Sequence, residues 1–273
     1  MDFTQLGLSE KTIKAISETG ITTPTTVQAD VIPSILAGKD VFTIAPARCG
    51  KTCSYVLPLI DIISQKRAKN ILIITANSKQ SVSVSDRFAV FNKYHEFSEN
   101  AITEADESIN EEANVIIASP NLLIDLIKEE KIDLSQTDIL VVDDINLIKK
   151  LHQLKNLETI LEILPADKQN IVFTNRRSKE TQDILDKILK TPQEIKIDRA
   201  KEEEAVQEQH LSAPQQEDKI SGKKEGAIAK KNKTNSSAAR DDEAVNLVRV
   251  HHTFGHNTPA FLLLKIELAE DVS

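Results

Sequence analysis

Ala45, four intervening residues and then Gly50, Lys51 and Thr52 form a pattern able to hold phosphate. Successive backbone N–H groups entering a helix point at an anion there, and the helix dipole favours negative charge. Lys51 would reach the β- and γ-phosphates of a nucleotide, and the Thr52 hydroxyl would take a place on Mg²⁺. This is the P-loop spacing with Ala in place of the first Gly. The plain alternative is a chance Gly-Lys-Thr at a strand-to-helix turn. Asp143 and Asp144 follow the apolar run 139–142. A carboxylate at the end of a parallel strand can lie beside a P-loop and hold Mg²⁺. Asp is also a good helix N-cap, so that reading stays open.

Such residues need a scaffold of strands feeding helices, and the patterning supplies one. Aliphatic runs at 40–44, 71–75, 115–118, 139–142, 170–174 and 194–197 read as strands. Amphipathic stretches at 54–65, 122–129, 151–164 and 179–189 read as helices between them. The alternation argues for crossover units, hence an α/β domain with a mostly parallel sheet flanked by helices. Pro33, Pro58 and Pro120 fall near the expected element boundaries. Residues 1–199 are thus expected to form one domain. Residues 200–244 are rich in Lys, Glu, Gln, Ala and Ser, lack aromatics, and read as a disordered linker or arm. Residues 245–273 regain some hydrophobicity but are too few for a domain, so they read as a tail or the remnant of one.

Composition narrows the function classes. Aromatics make up 4% and Trp is absent, so the core must be built from Ile, Leu and Val, as suits a sheet buried on both faces. A net charge of −8 argues against indiscriminate nucleic-acid binding but not against a local basic groove. The two cysteines, Cys49 and Cys53, cannot make a disulfide framework, and a zinc site wants four ligands. His251, His252 and His256 cluster in the tail without Cys or carboxylate at ligand spacing, and read as solvated. The lysines of 223–233 read as solvated linker or as a flexible arm against phosphates. There is no signal segment and no apolar run long enough to span a bilayer, so a cytoplasmic protein without membrane partners is expected.

With both motifs in order, residues 3–198 resemble the first RecA-like domain of a DEAD-box RNA helicase. The most specific part is N-terminal: Phe3, then Gly20, Pro24, Thr25 and Gln28, then Ile32 and Pro33, then Gly38 and Asp40. That arrangement resembles the family's Q motif, which implies adenine recognition by Phe3 and Gln28. A carboxamide offers one donor face and one acceptor, matching the N6 and N7 edge. Leu57-Pro58, Ser119-Pro120-Asn121 and the stretch 169–175 fall where the family has its later motifs. The resemblance implies ATP and Mg²⁺ as cofactors, with Ala47, Arg48, Cys49, Gly50, Lys51 and Thr52 on the phosphates. It puts Thr52 and Asp143 on the metal and Asp144 on the attacking water, and names Lys51, Asp143 and Asp144 as catalytic. RNA is the implied partner, met by Thr75, Ser78, Lys79, Ser119 and Asn121.

The departures qualify that picture. Ala47, Arg48 and Cys49 stand where the family usually has Thr-Gly-Ser before the invariant Gly, which is expected to weaken nucleotide binding. Asp144 is one methylene shorter than the family's Glu, and a displacement near 1 Å can cost about a hundredfold in rate. Asn146 replaces the last carboxylate of the tetrad, and Thr174-Asn175-Arg176 replaces Ser-Ala-Thr, which puts coupling between the ATP and RNA sites in doubt. Residues 76–81 lack the family's Arg, and Glu104, Asp106 and Glu107 stand where paired glycines are expected. No second RecA-like lobe is recognisable; without its arginine fingers, worth about 10³ to 10⁵ in rate, any hydrolysis by the isolated chain is expected to be slow or absent. Arg176, Arg177 and Arg240 read as surface residues. The preferred reading is an ATP-binding protein of the DEAD-box type, with a protein partner as one source of the second lobe. The alternatives are a degenerate nucleotide-binding or RNA-associated interaction module, and a truncated gene product.

Overall fold

The computed structural model describes residues 1–103, 110 and 113–197. The readings made on Glu104, Asp106 and Glu107, on the 200–244 linker with its lysines and Arg240, and on the 245–273 segment with its histidines lie outside the described residues.

The aliphatic runs form strands because branched side chains suit a pleated surface covered on both sides. In chain order the strands are β1 (Val41–Ile44), β2 (Ile71–Ile74), β3 (Glu99–Ala101, which is not an aliphatic run), β4 (Val115–Ala118), β5 (Ile139–Val142), β6 (Gln169–Thr174) and β7 (Gln193–Lys196). They pair in parallel throughout, in one seven-stranded sheet of order β3-β4-β2-β5-β6-β1-β7. The helices are α1 (Glu10–Glu18), α2 (Thr26–Leu36), α3 (Lys51–Ser64), α4 (Ser78–Phe91), α5 (Pro120–Lys128), α6 (Ile145–Lys150), α7 (Leu154–Ile163) and α8 (Lys179–Ile188), with a 3₁₀ turn at Phe3–Leu6.

Alternation along each strand divides the core in two. Val41, Ile73, Val141, Ile171 and Phe173 pack with α1 to α4. Phe42, Leu72, Ile74, Leu140, Val142 and Val172 pack with α5 to α8 on the opposite face. The expected parallel α/β architecture is therefore observed, with β3 and helices α1, α2, α4 and α6 added to the elements that patterning delineates. Pro120 opens α5 at its first turn, where a missing N–H costs nothing. Pro33 and Pro58 do not mark boundaries: they lie inside α2 and α3. A mid-helix proline costs about 3 kcal/mol. In α3 that cost is outweighed by packing, since every residue from 54 to 63 is buried.

Among those buried residues is a carboxylate. Asp61, fully buried in α3, accepts from the Ser9 N–H and the Ser9 hydroxyl, both at 2.6 Å, and from the Thr12 hydroxyl. Thr12 in turn meets Nε2 of His95 at 3.0 Å. The start of α1 is thereby moored to α3, the helix that the phosphate loop feeds. Among the described residues no helix is long and apolar enough to cross a membrane.

Candidate functional site

The strand-to-helix turn after β1 carries the loop. Gly50 caps α3 with φ 89° and no side-chain capping bond, which leaves the N-terminal amides of a fourteen-residue helix open to an anion. Arg48 adopts φ 67°, in the region glycine favours, so the loop keeps a glycine-like bend at a cost of about 1–2 kcal/mol. The Cys49 side chain is buried and its Sγ lies 3.1 Å from the Pro46 carbonyl. Ala47 and Arg48 are exposed at the tip. Both cysteines are free thiols, and burial pushes Cys53 up. Among the described residues no three His, Cys, Asp or Glu side chains converge as a metal cage.

Lys51 does not extend into open space. Its Nζ donates to the carbonyls of Ala45 at 3.0 Å and Pro46 at 3.1 Å. The ammonium thus occupies the loop's own acceptors.

The N-terminal segment braces this loop. Thr25 donates its hydroxyl to the Cys49 carbonyl at 2.9 Å. Gln28 is buried; its Oε1 accepts from the Thr25 N–H at 3.0 Å in a capping box, and its Nε2 donates to the Gly50 carbonyl at 3.4 Å. One donor and one lone pair of the carboxamide remain uncommitted. A Cβ on Gly50 would come within 2.7 Å of Gln28 Nε2 and 2.9 Å of Thr25 Oγ1. Phe3, by contrast, is the first residue of the 3₁₀ turn and is buried in the core.

Asp143 leaves the end of β5 next to the loop. It is buried, and Oδ2 accepts from the Tyr55 hydroxyl at 3.0 Å. Burial pushes its carboxyl up to about 6, opposed by the Tyr55 hydrogen bond and the Lys51 charge. Burial and the Asp143 charge drive the Tyr55 phenol well above its ordinary range, while a hydrogen bond with Thr52 acts the other way. Lys51, Thr52 and Asp143 are therefore brought together, with Tyr55 as a link that nothing in the sequence had singled out. Asp144, at φ 62°, caps α6 by accepting from the Leu147 N–H at 3.3 Å through Oδ1. The capping role weighed for the carboxylate pair thus falls to its second member, and Oδ2 is left for other work.

Asn146 and Thr174 are joined: Asn146 Nδ2 donates to the Thr174 hydroxyl at 2.7 Å, to Asn175 Oδ1 at 3.0 Å and to the Arg176 carbonyl at 2.7 Å. An open cleft of about 830 Å³ runs along the outer flank of the loop, from Ala45 and Ala47 to Arg176 and Lys196. A smaller one of about 520 Å³ continues from Arg176 to Asp144 and Asn146. Neither is lined by Lys51 or Thr52.

The loops after β2 and β4 emerge side by side, since Ile74 and Ala118 are register partners. Lys79 and Asn121 are exposed and Ser78 is half-buried. Ser119 is buried at the start of α5. Thr75 is fully buried, with its hydroxyl 2.8 Å from that of Ser81.

Comparison with known proteins decides among P-loop families. The model for the DEAD/DEAH box helicase family matches residues 25–184. The chain belongs to the DEAD/DEAH box helicase family. It is 28% identical over 201 residues to the DEAD-box ATP-dependent RNA helicase RhpA of Helicobacter pylori strain B128, a match covering 71% of this chain and 41% of that protein. It is 26% identical over 204 residues to the ATP-dependent RNA helicase DeaD of Escherichia coli strain K12, covering 71% and 32%. The chain spans well under half the length of these curated relatives. In fold it is similar to a DEAD box protein from the hyperthermophile Methanococcus jannaschii, with a TM-score of 0.69 and 22% identity over 72% of this chain and 56% of that one. A hypothetical ATP-dependent RNA helicase from Sulfolobus tokodaii superposes with a TM-score of 0.62, 24% identity, and coverage of 70% and 57%.

Proposed function

We propose that this chain is the nucleotide-binding lobe of an ATP-dependent RNA helicase. The observation that carries the reading is the convergence of Lys51, Thr52 and Asp143 at the open N-terminus of α3. In this reading Gly50 and the following amides hold the β- and γ-phosphates, and Lys51 leaves the Ala45 and Pro46 carbonyls to pair with them. Thr52 and Asp143 fit a hard cation that keeps most of its waters and takes few protein oxygens, which suits Mg²⁺. When bound, Mg²⁺ neutralises charge on the phosphates during transfer to water. Asp144 orients that water through Oδ2 while Oδ1 caps α6. Gln28 presents its remaining donor and acceptor to adenine beside Gly50. Phe3 joins only if the Phe3–Leu6 turn swings its ring out of the core.

RNA, by the same proposal, lies over Ser78, Lys79, Ser119 and Asn121, where α4 and α5 begin at the C-terminal edge of the sheet after the paired ends of β2 and β4. A second lobe, supplied with this one or by a protein partner, closes the cleft beside Arg176. The expected site of action is the cytoplasm.

The test is ATP turnover and adenine-nucleotide affinity, with and without single-stranded RNA and Mg²⁺, with Lys51→Ala as control. Turnover that rises with RNA and disappears in the variant supports the proposal. Tight nucleotide binding without turnover under any condition points instead to a degenerate binding module. Absence of nucleotide binding overturns both.

A further inference from the structure

Gln153 follows α6 at a sharp turn, after His152 at φ 60°, and is buried although polar. Its backbone N–H donates to the Ile148 carbonyl at 3.1 Å, which fixes the turn. Its side chain serves two other segments. Nε2 donates to the Ala76 carbonyl at 2.9 Å, in the loop after β2. Oε1 accepts from the Asn121 N–H at 3.3 Å, at the start of α5 after β4. Each loop is also tied locally: the Ala76 N–H donates to Gln80 Oε1 at 2.9 Å, and Asn156 Nδ2 donates to Asn121 Oδ1 at 2.8 Å. Among the described residues Gln153 is the side chain that bonds to both, beyond the last backbone bond of the strand pair, from the Thr75 N–H to the Ala118 carbonyl at 3.0 Å.

A buried carboxamide is kept in an otherwise apolar setting when its hydrogen bonds are needed, because the bare alternative strands a carbonyl and an N–H. The two groups it satisfies belong to the loops that carry Ser78, Lys79 and Asn121. Gln153 also sits on the segment that begins with Asp144 and Asn146. We propose that Gln153 is a clip that sets the spacing of the two RNA-facing loops, and so a positioning residue for the RNA backbone. The inference rests on the RNA reading given above.

The experiment uses the full chain and two variants. Gln153→Met keeps length and packing but loses both bonds, and Gln153→Glu keeps the acceptor for Asn121 while losing the donor to Ala76. Three quantities are read: amide hydrogen exchange at 75–80 and 119–123, affinity for a single-stranded RNA oligonucleotide, and affinity for a fluorescent adenine nucleotide. In Gln153→Met both loops should exchange faster and RNA affinity should fall about threefold to tenfold. Nucleotide affinity should stay within about twofold, since the P-loop is untouched, and a general loss of folding would move all three together. In Gln153→Glu the loop at Ala76 should be released first. Unchanged exchange in both variants overturns the clip, as does faster exchange with undiminished RNA affinity. If the wild-type chain captures no RNA, the functional reading falls, and the clip then stands or falls on exchange alone.

Discussion

Asn146 donates to the Thr174 hydroxyl at 2.7 Å and so joins the loop after β5 to the end of β6. The altered tetrad and the altered Ser-Ala-Thr segment thus still meet. Thr174 already gives its proton to the Arg176 carbonyl at 2.8 Å, and Asn146 donates to that carbonyl and to Asn175 Oδ1 as well. A carboxylate at 146 gives up both amide protons and, as these contacts stand, meets the oxygens of Thr174, Asn175 and Arg176, of which only the Arg176 carbonyl cannot turn to donate. Restoring the family residue with Asn146→Asp is therefore expected to destabilise the domain by about 1–3 kcal/mol. The loss should be no smaller than that of Asn146→Ala. Urea denaturation of both variants checks it, and an Asn146→Asp protein as stable as the wild type would sink the argument.

Asp143 contributes a pH dependence whose sign follows from its raised carboxyl. The folded chain holds this proton until about pH 6, whereas the unfolded chain loses it near 3.8. Between those values the folded state binds more protons, so this group's contribution to stability falls as pH rises through the window and then levels off. The full difference corresponds to about 3 kcal/mol. Asp143→Asn should accordingly be more stable than the wild type at pH 7.5, with a smaller gain at pH 4, while losing Mg²⁺-dependent nucleotide affinity. Thermal melts at the two pH values, without nucleotide, measure the effect.

Gly50 and Gly38 offer a matched pair. Both have positive φ, 89° and 74°, so Ala at either should cost about 1–2 kcal/mol in backbone strain. Nothing lies within 4 Å of a Cβ at Gly38, whereas Gly50 would press on Gln28 and Thr25. Gly38→Ala is thus expected to show strain alone, with nucleotide affinity intact. Gly50→Ala should be the less stable of the two and should also weaken nucleotide binding, as titration with a fluorescent analogue would reveal.

Asp61 holds α1 in place through two bonds from Ser9 and one from Thr12. Hydrogen bonds to a charged acceptor are worth about 1.5–3 kcal/mol each in such settings, though they are not additive. Asp61→Ala should therefore lower global stability by about 3 kcal/mol or more and raise hydrogen exchange selectively along α1. Equal exchange in α1 and α3 after the substitution would argue against a mooring role.

Much of this molecule could be read from residue patterns, for a physical reason. Strands buried on both faces show themselves as aliphatic runs, so β2 and β5 stand out at Ile71–Ile74 and Ile139–Val142. β3 does not, because Glu99, Asn100 and Ala101 have no apolar pattern and are held by backbone pairing with β4. Pro33 and Pro58 misdirect for the converse reason, since local propensity yields to packing that no short window contains. Gly50, Lys51 and Thr52 announce themselves because phosphate binding needs consecutive residues. Tyr55, Asp61 and Gln153 do not, because each acts on a partner between 32 and 88 positions away. Phe3 carries an aromatic ring at the expected place, but its burial reflects the competition of a core that has few aromatics to fill it.

The placement of β1 between β6 and β7 bears on the order in which the domain can be made. The strand that delivers the phosphate loop emerges first during synthesis, yet both its neighbours lie more than a hundred residues downstream. A growing chain that ends before Gln169 has nothing against which β1 can pair. Closing so long a span must precede any return from contacts, which slows assembly. If the proposed function holds, nucleotide capture should therefore be acquired late on the ribosome, after residues near Lys196 have cleared the exit. Until then β1 lacks both of its neighbouring strands, the kind of unpaired edge that invites association with other chains.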